Sequence, residues 1–189
     1  NKNKIKFVMI GGAQFPYLPK KALQFVQILL RHNVECTLDI INQRHHEFIN
    51  EVIKEVKFPT DKVKVFGIKP HEKYNLLPKY DCGLVFIHTG SWIRMSSPTK
   101  IGEYLASGLH VVGLEGIEVL ERLANSTQSV DNLPENFENK NFNKEKIYEI
   151  VNKIKDIGRR EKSVKLAKKL YDLNSALNKY LLLYKGILN

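Results

Sequence analysis

Cysteine is scarce in this sequence: Cys36 and Cys82 are the only two in 189 residues. Two thiols cannot make the disulfide framework of a small secreted domain, so a reducing compartment, the cytoplasm, is expected. Long hydrophobic runs are also missing. No stretch approaches the roughly 18 apolar residues of a membrane-spanning helix. Residues 1–6 are rich in Lys and Asn, with no signal-peptide core behind them. No Asp-x-Asp occurs and no Cys/His group has metal-ligand spacing, so neither a metal nor a resident cofactor is expected. The G-x-G-x-x-G of dinucleotide folds is absent too. Asp39 falls near the end of a strand, where such folds carry a ribose-binding acid, but without the glycines it argues little for a nicotinamide cofactor. The first residue is Asn rather than Met, as in a piece of a longer chain.

What is present is ordinary globular composition, 43% hydrophobic and 26% charged. The length suits one domain with a real core. The net charge of +10 is unevenly spread: residues 140–189 hold 13 basic against 5 acidic side chains, and residues 1–139 hold 17 against 15. The basic segment reads as a solvated helix face or as a partner for an anionic membrane surface. Lys outnumbers Arg by 24 to 6, a bias that an A+T-rich coding sequence produces by itself, and nucleic acid is not an expected partner.

Apolar runs alternate with helical periods. Residues 5–10, 34–41, 63–68, 82–88 and 110–114 read as strands, several of them unbroken apolar, which is the mark of a parallel sheet covered on both faces. Between them, residues 20–32, 44–56, 72–79, 99–106 and 119–124 read as helices. In the 44–56 helix Phe48, Val52 and Val56 share one face. Residues 126–144 are polar and Asn-rich, with one short strand near 128–131. Three helices close the chain at 145–157, 161–171 and 175–188. The first has a stripe of Ile147, Ile150, Val151, Ile154 and Ile157; the last has Leu177, Leu181, Tyr184 and Leu188. The predicted fold is a doubly wound, Rossmann-like α/β domain over 1–189, with 145–189 as a helical extension.

In such a sheet, ligands bind beyond the carboxyl ends of the strands. Gly11-Gly12 lets backbone approach a phosphate, and Lys20-Lys21 follows at a helix start; a plain turn explains the same residues. Gly67-Ile68 ends the third strand, where glycine either opens space for a base or simply turns the chain before Pro70. The richest segment is 89–108. Ser97 is placed as N-cap and Pro98 as first helical residue. Free N–H groups at the start of that helix, near Thr99, make an anion site, and Arg94 and Lys100 add positive charge. Glu103 lies one turn in, where a carboxylate can accept two ribose hydroxyls. His88 ends the fourth strand beside this segment. Trp92 serves equally as a stacking platform or a loop anchor. Cys36 and Cys82 fall inside apolar strands, as buried thiols do. His45-His46 opens a helix, where neighbours point apart.

Residues 97–112, Ser97-Pro98-Thr99-Lys100-Ile101-Gly102-Glu103-Tyr104-Leu105-Ala106-Ser107-Gly108-Leu109-His110-Val111-Val112, resemble the P-x-K-x-x-E-Y-x-A-x-G-x-P-V-V stretch of group 1 (family four) glycosyltransferases. Residues 63–68 resemble that family's V-x-F-x-G strand, and Gly116-Ile117-Glu118-Val119-Leu120 its G-x-x-E-V-L turn. Residues 143–154 and 171–188 resemble its later helices.

The resemblance implies the carboxyl-terminal, donor-binding domain of a GT-B enzyme, whose amino-terminal acceptor domain is not in this chain. It implies that Glu103 holds the ribose hydroxyls and that Lys21 meets the diphosphate, with Lys20 the alternative one register away. Gly12, Ser97, Thr99 and Lys100 would cradle phosphate oxygens, Gly67 and Ile68 would face the base, and Arg94 and His88 would lie alongside. The partner implied is a nucleotide-sugar donor such as a UDP-sugar. The reaction is glycosyl transfer to an acceptor hydroxyl, most often retaining and metal-independent, in polysaccharide or lipopolysaccharide assembly. The place is the cytoplasm, including the inner face of a membrane.

Three departures stand out. Met95 occupies the position of the family's first motif Glu, which contacts the donor sugar. Ala13 and Gln14 replace an Arg usual after the first strand. The P-V-V run is altered at His110-Val111, with no proline there. A non-catalytic nucleotide-binding module that needs a partner chain therefore remains the alternative, beside a membrane-surface binder acting through its basic tail.

Overall fold

The computed structural model describes residues 4–11, 15–90, 94–95, 98–138 and 144–188. These form a six-stranded, all-parallel sheet in the order β3-β2-β1-β4-β5-β6. The strands are β1 (Ile5–Ile10), β2 (Cys36–Ile41), β3 (Val63–Phe66), β4 (Cys82–Val85), β5 (His110–Leu114) and β6 (Val130–Leu133). The helices are α1 (Pro19–Arg31), α2 (His46–Glu55), α3 (Lys73–Leu76), α4 (Thr99–Ala106), α5 (Glu118–Ser126), α6 (Lys144–Lys155), α7 (Arg159–Tyr171) and α8 (Leu173–Leu188). This is the expected doubly wound architecture. The chain grows outward to β3, then crosses back to place β4 on the other side of β1. A crevice therefore opens beyond the ends of β1 and β4, the topological switch point where such folds bind ligands.

Two apolar layers hold the sheet. On one face, Phe7, Met9, Leu38, Ile40 and Leu84 pack against α1, α2 and α6. Phe25 is central here, with the rings of Phe7, Phe86 and Phe137 at 5.8, 5.9 and 6.1 Å in near edge-to-face contact. Burying one such side chain contributes about 1.5–3 kcal/mol. On the other face, Val8, Ile41, Val85 and Val111 meet Tyr104 and Leu105 of α4, Leu120 of α5 and Ala167 of α7. Gly83 is a packing requirement, because a Cβ there would run into the Tyr104 ring.

Several expectations change in detail. Residues 67–68 and 86–88 lie past the ends of β3 and β4, where the chains diverge to form the crevice. In α2 the buried residues are Ile49, Val52 and Ile53, while Phe48 is 46% exposed. The helix packs against α1 and β3, and this rotation buries Ile49 and Ile53 beside Val52, so Phe48 is not on the buried face as expected. Ile157 follows the end of α6 and is fully exposed, whereas Ile147, Ile150, Val151 and Ile154 are buried. The strand expected near 128–131 is β6 at Val130–Leu133.

Candidate functional site

The switch-point crevice is built from three strand ends. After β1, Gly11 leaves the sheet. A Cβ at this position would collide with the Tyr17 ring, so only glycine lets Tyr17 close over the strand end. After β2, the buried Asn42 ties the crevice together. Its Nδ2 donates to the Gly11 carbonyl at 2.7 Å. Its Oδ1 accepts from the Arg44 and His45 amides at 2.9 and 2.8 Å. Its own amide donates to the Phe66 carbonyl at 2.9 Å, bringing in β3. One residue, through its side chain and its backbone amide, thus ties together the ends of three adjacent strands.

α4 supplies the charged groups. Its N-cap is Pro98, with φ −60° and ψ 120°, and no side chain caps the helix. Pro98 thus stands one position earlier than the expected first helical place, since its extended ψ cannot join the helix. Ser97, expected as the cap, lies outside the described residues, as do Gly12, Ala13, Gln14 and Trp92. Thr99 and Lys100 open the helix. One turn on, Glu103 Oε1 accepts from Lys73 Nζ at 2.7 Å, and Oε2 lies 3.8 Å from Lys100 Nζ. Oε2 is buried and has no hydrogen-bond partner among the described residues. The Glu103 hydrogen bond holds the Lys73 ammonium above its ordinary pKa, so Lys73 is charged at neutral pH. Beneath it, the Tyr104 hydroxyl accepts from the Ile10 amide at 2.8 Å and anchors α4 to β1.

Two cavities flank Lys100. One, of about 360 Å³, has apolar walls from Ile10, Ile41 and Ile68 and cationic ones from Arg44, Lys73 and Lys100. The other, of about 200 Å³, shares Ile10, Tyr17 and Lys100 and extends to Phe86, Pro98 and Thr99. An apolar wall beside convergent cations suits an anion with a flat apolar moiety.

The expected site residues do not all converge. Thr99, Lys100, Glu103 and Ile68 do. Gly67 packs instead against Asn42 and Gln43, with room for no bulky group. Lys20 turns away to Glu55 of α2 at 2.5 Å. Lys21 turns to the segment after β6, where it donates to the Glu135 carbonyl at 2.5 Å and pairs with Glu138. Thr89, just after β4, donates to the Glu135 carboxylate at 3.3 Å. Of the two, Lys21 is the one that reaches the segment after β6, where Glu138 pairs with it. His88 is exposed; its amide donates to the Pro16 carbonyl at 2.7 Å and its ring lies 5.4 Å from Phe15. Arg94 is exposed, and its carbonyl accepts from the Glu118 amide at 3.1 Å. Met95 is 78% exposed.

Asp39 is not at the crevice. It lies two residues inside β2, where its carboxylate accepts from Tyr80 Oη at 2.7 Å. Sequence reading missed Asn42, Lys73 and Arg44. An Asn directly after a strand is the one signal that pointed to the first. Among the described residues, no group of three or more His, Cys, Asp or Glu side chains could hold a metal ion, and no helix is long and apolar enough to cross a membrane.

No family model and no curated protein matches the sequence. Solved structures do match in fold. A glycosyltransferase from Rickettsia africae is 20% identical, with a TM-score of 0.69 over 99% of this chain and 48% of its own. The pneumococcal O-GlcNAc transferase GtfA, solved with UDP and GlcNAc, is 14% identical, with a TM-score of 0.67 over 98% of this chain and 36% of its own. The catalytic domain of the Helicobacter pylori cholesterol-α-glucosyltransferase is 13% identical, with a TM-score of 0.65 over 87% of this chain and 98% of its own. The chain thus spans a third to a half of the first two and nearly all of the third. The chain shares its Rossmann-like α/β fold with part or all of each of these glycosyltransferases.

Proposed function

We propose that this chain is the donor-binding half of a glycosyltransferase that moves a sugar from a nucleoside diphosphate sugar to an acceptor hydroxyl. The observation that carries the reading is Glu103. A buried carboxylate oxygen without a hydrogen-bond partner among the described residues, beside a cavity with three cations, is an acceptor able to take a further donor. Ribose hydroxyls supply that donor. The start of α4 at Thr99 and Lys100 receives the diphosphate, and the apolar wall at Ile68 receives the base. Negative charge growing on the departing diphosphate meets Lys100, Arg44 and the helix dipole, which stabilise it without a metal ion. Lys21 joins them when a diphosphate competes with Glu138. Retention of configuration and action on envelope polysaccharides belong to the same reading. The acceptor side lies on a further domain, so the chain alone binds donor and transfers little or nothing.

A non-catalytic nucleotide-binding module is the second reading. Met95, exposed where the resembling enzymes carry a sugar-contacting Glu, favours it. Calorimetric titration with UDP, GDP and NAD tests the site itself. Saturable UDP or GDP binding that Glu103→Ala weakens by about 10-fold or more supports it, as expected for losing a charged hydrogen-bond acceptor. Equal binding by the variant refutes the role of Glu103. Transfer restored by a separately supplied amino-terminal domain decides for the enzyme over the module.

A further inference from the structure

The opposite end of the sheet carries a second polar recess. Strand register puts Lys6 beside Thr37 and Asp39 beside Lys64. Side chains alternate along a strand, so these four share the face that carries Val8, Ile41 and Phe66 further along. Doubly wound sheets bury both faces under helices. Here the β3-to-β4 connection contains only the single-turn α3 and a 3-10 turn at Leu77–Lys79, too little to cover the amino-terminal half of β1, β2 and β3. The uncovered part is a cavity of about 490 Å³.

Its charge is one-sided. Five lysines line it, Lys4, Lys6, Lys62, Lys64 and Lys79, against Asp39 and Asp61. Lys62 approaches Asp61 at 3.6 Å, and Asp39 is engaged by Tyr80 Oη. No ion pair is made by Lys4, Lys6, Lys64 or Lys79 among the described residues. None of these lysines belongs to the basic segment from residue 140 onward. Five ammonium groups against two carboxylates leave an excess of three positive charges around one recess, which attracts a multiply charged anion. Thr37 and the two carboxylates add hydroxyl-binding groups that a bare phosphate would not use.

We propose that this recess binds a phosphate ester of a polyol, at a site separate from Glu103 and independent of the function proposed above. The same chemistry is offered by a small soluble ester and by a glycerol-phosphate lipid headgroup. The test titrates the full chain with glycerol 3-phosphate by calorimetry and, in parallel, measures co-sedimentation with vesicles of phosphatidylglycerol in phosphatidylcholine. The variant pair Lys6→Ala/Lys64→Ala removes two exposed side chains and leaves the core untouched. The pair Lys165→Ala/Lys168→Ala removes the same charge from the exposed side of α7. Saturable binding that falls roughly 10-fold or more in the first pair, and stays within about twofold in the second, supports the site. The probe whose binding is lost identifies the source as soluble ester or lipid. Equal weakening by both pairs, or no saturable binding of either probe, overturns it.

Discussion

Lys73 and Glu103 meet across the switch-point crevice, Nζ to Oε1 at 2.7 Å, though 30 residues separate them in the chain. The lysine occupies one oxygen of the carboxylate that the ribose would need, so nucleotide entry has to displace it or share it. Exposed and part-exposed ion pairs are worth about 0.2–1 kcal/mol. Lys73→Met is therefore expected to raise UDP affinity about twofold to fivefold, read by calorimetry beside the unmodified chain. A loss of affinity of that size would mean that Lys73 itself holds the nucleotide.

The contact between Gly83 and Tyr104 gives a stability prediction. Gly83→Ala places a methyl group against the Tyr104 ring in a core with no slack. Overpacking of this kind costs about 1–3 kcal/mol, visible as a lower urea midpoint. Combining it with Tyr104→Leu recovers part of the loss, because the smaller side chain yields the space. Strict additivity of the two changes would show that they do not share this contact.

Much of this architecture was legible before any coordinates. Unbroken apolar runs such as residues 5–10 read as covered parallel strands, and β1 forms at Ile5–Ile10. Strand ends were less legible: Phe86 and Ile87 are as apolar and as buried as β4, yet they lie past its end, where the crevice opens. The α2 stripe was misread because Phe48 and Ile49 are both apolar, and only the sheet decides which is buried. In the site, Glu103 and Lys100 stood out from local spacing along one helix. Lys73 and Asn42 did not, since their partners are distant in sequence and no local pattern encodes such a meeting. Asp39 lies near the end of a strand that does stop at Ile41, as the letters indicate; what they do not show is Tyr80, distant in sequence, whose hydroxyl holds the Asp39 carboxylate.

Acid should loosen the far side of the sheet. His110, fully buried on β5, bonds Asp131 of β6 at 2.8 Å, and Lys153 of α6 donates to the same carboxylate at 2.8 Å. Burial is the largest influence on His110 and lowers its pKa despite the Asp131 partner. Burial pushes Asp131 up, but its His110 and Lys153 bonds outweigh this and leave it below the ordinary value. The unfolded chain therefore binds a proton near pH 6.5 that the folded chain refuses. Stability falls as pH drops below that point, by up to about 1.4 kcal/mol per pH unit, and falls again below the ordinary Asp range. Urea unfolding between pH 7.5 and 5 should show a shallower slope in His110→Gln. An unchanged slope would place the proton uptake elsewhere.

The two thiols should be silent in the folded chain. Cys36 and Cys82 are both buried and unpaired. Burial pushes the Cys36 thiol up to about 12 and raises Cys82 strongly as well, so neither forms the thiolate that reacts. Ellman's reagent is expected to find no thiol under native conditions and both after denaturation in guanidinium. Rapid native labelling of either would contradict the burial.

α8 differs from every other long helix, because residues 173–187 are all exposed. Tyr180, Leu181, Leu182, Leu183, Tyr184 and Ile187 are each more than half exposed. A helix with no buried face gains nothing from tertiary packing, which supplies most helix stability in proteins. Its removal should therefore cost the domain little. The core helices α6 and α7 end before it, and Tyr171, which packs on Gly102 of α4, precedes it. Deleting residues 173–189 is expected to move the melting temperature by less than about 3 °C. It is also expected to reduce self-association in sedimentation velocity, since it removes a contiguous apolar surface. A large drop in melting temperature would mean that α8 folds back onto the domain in solution and covers part of its surface.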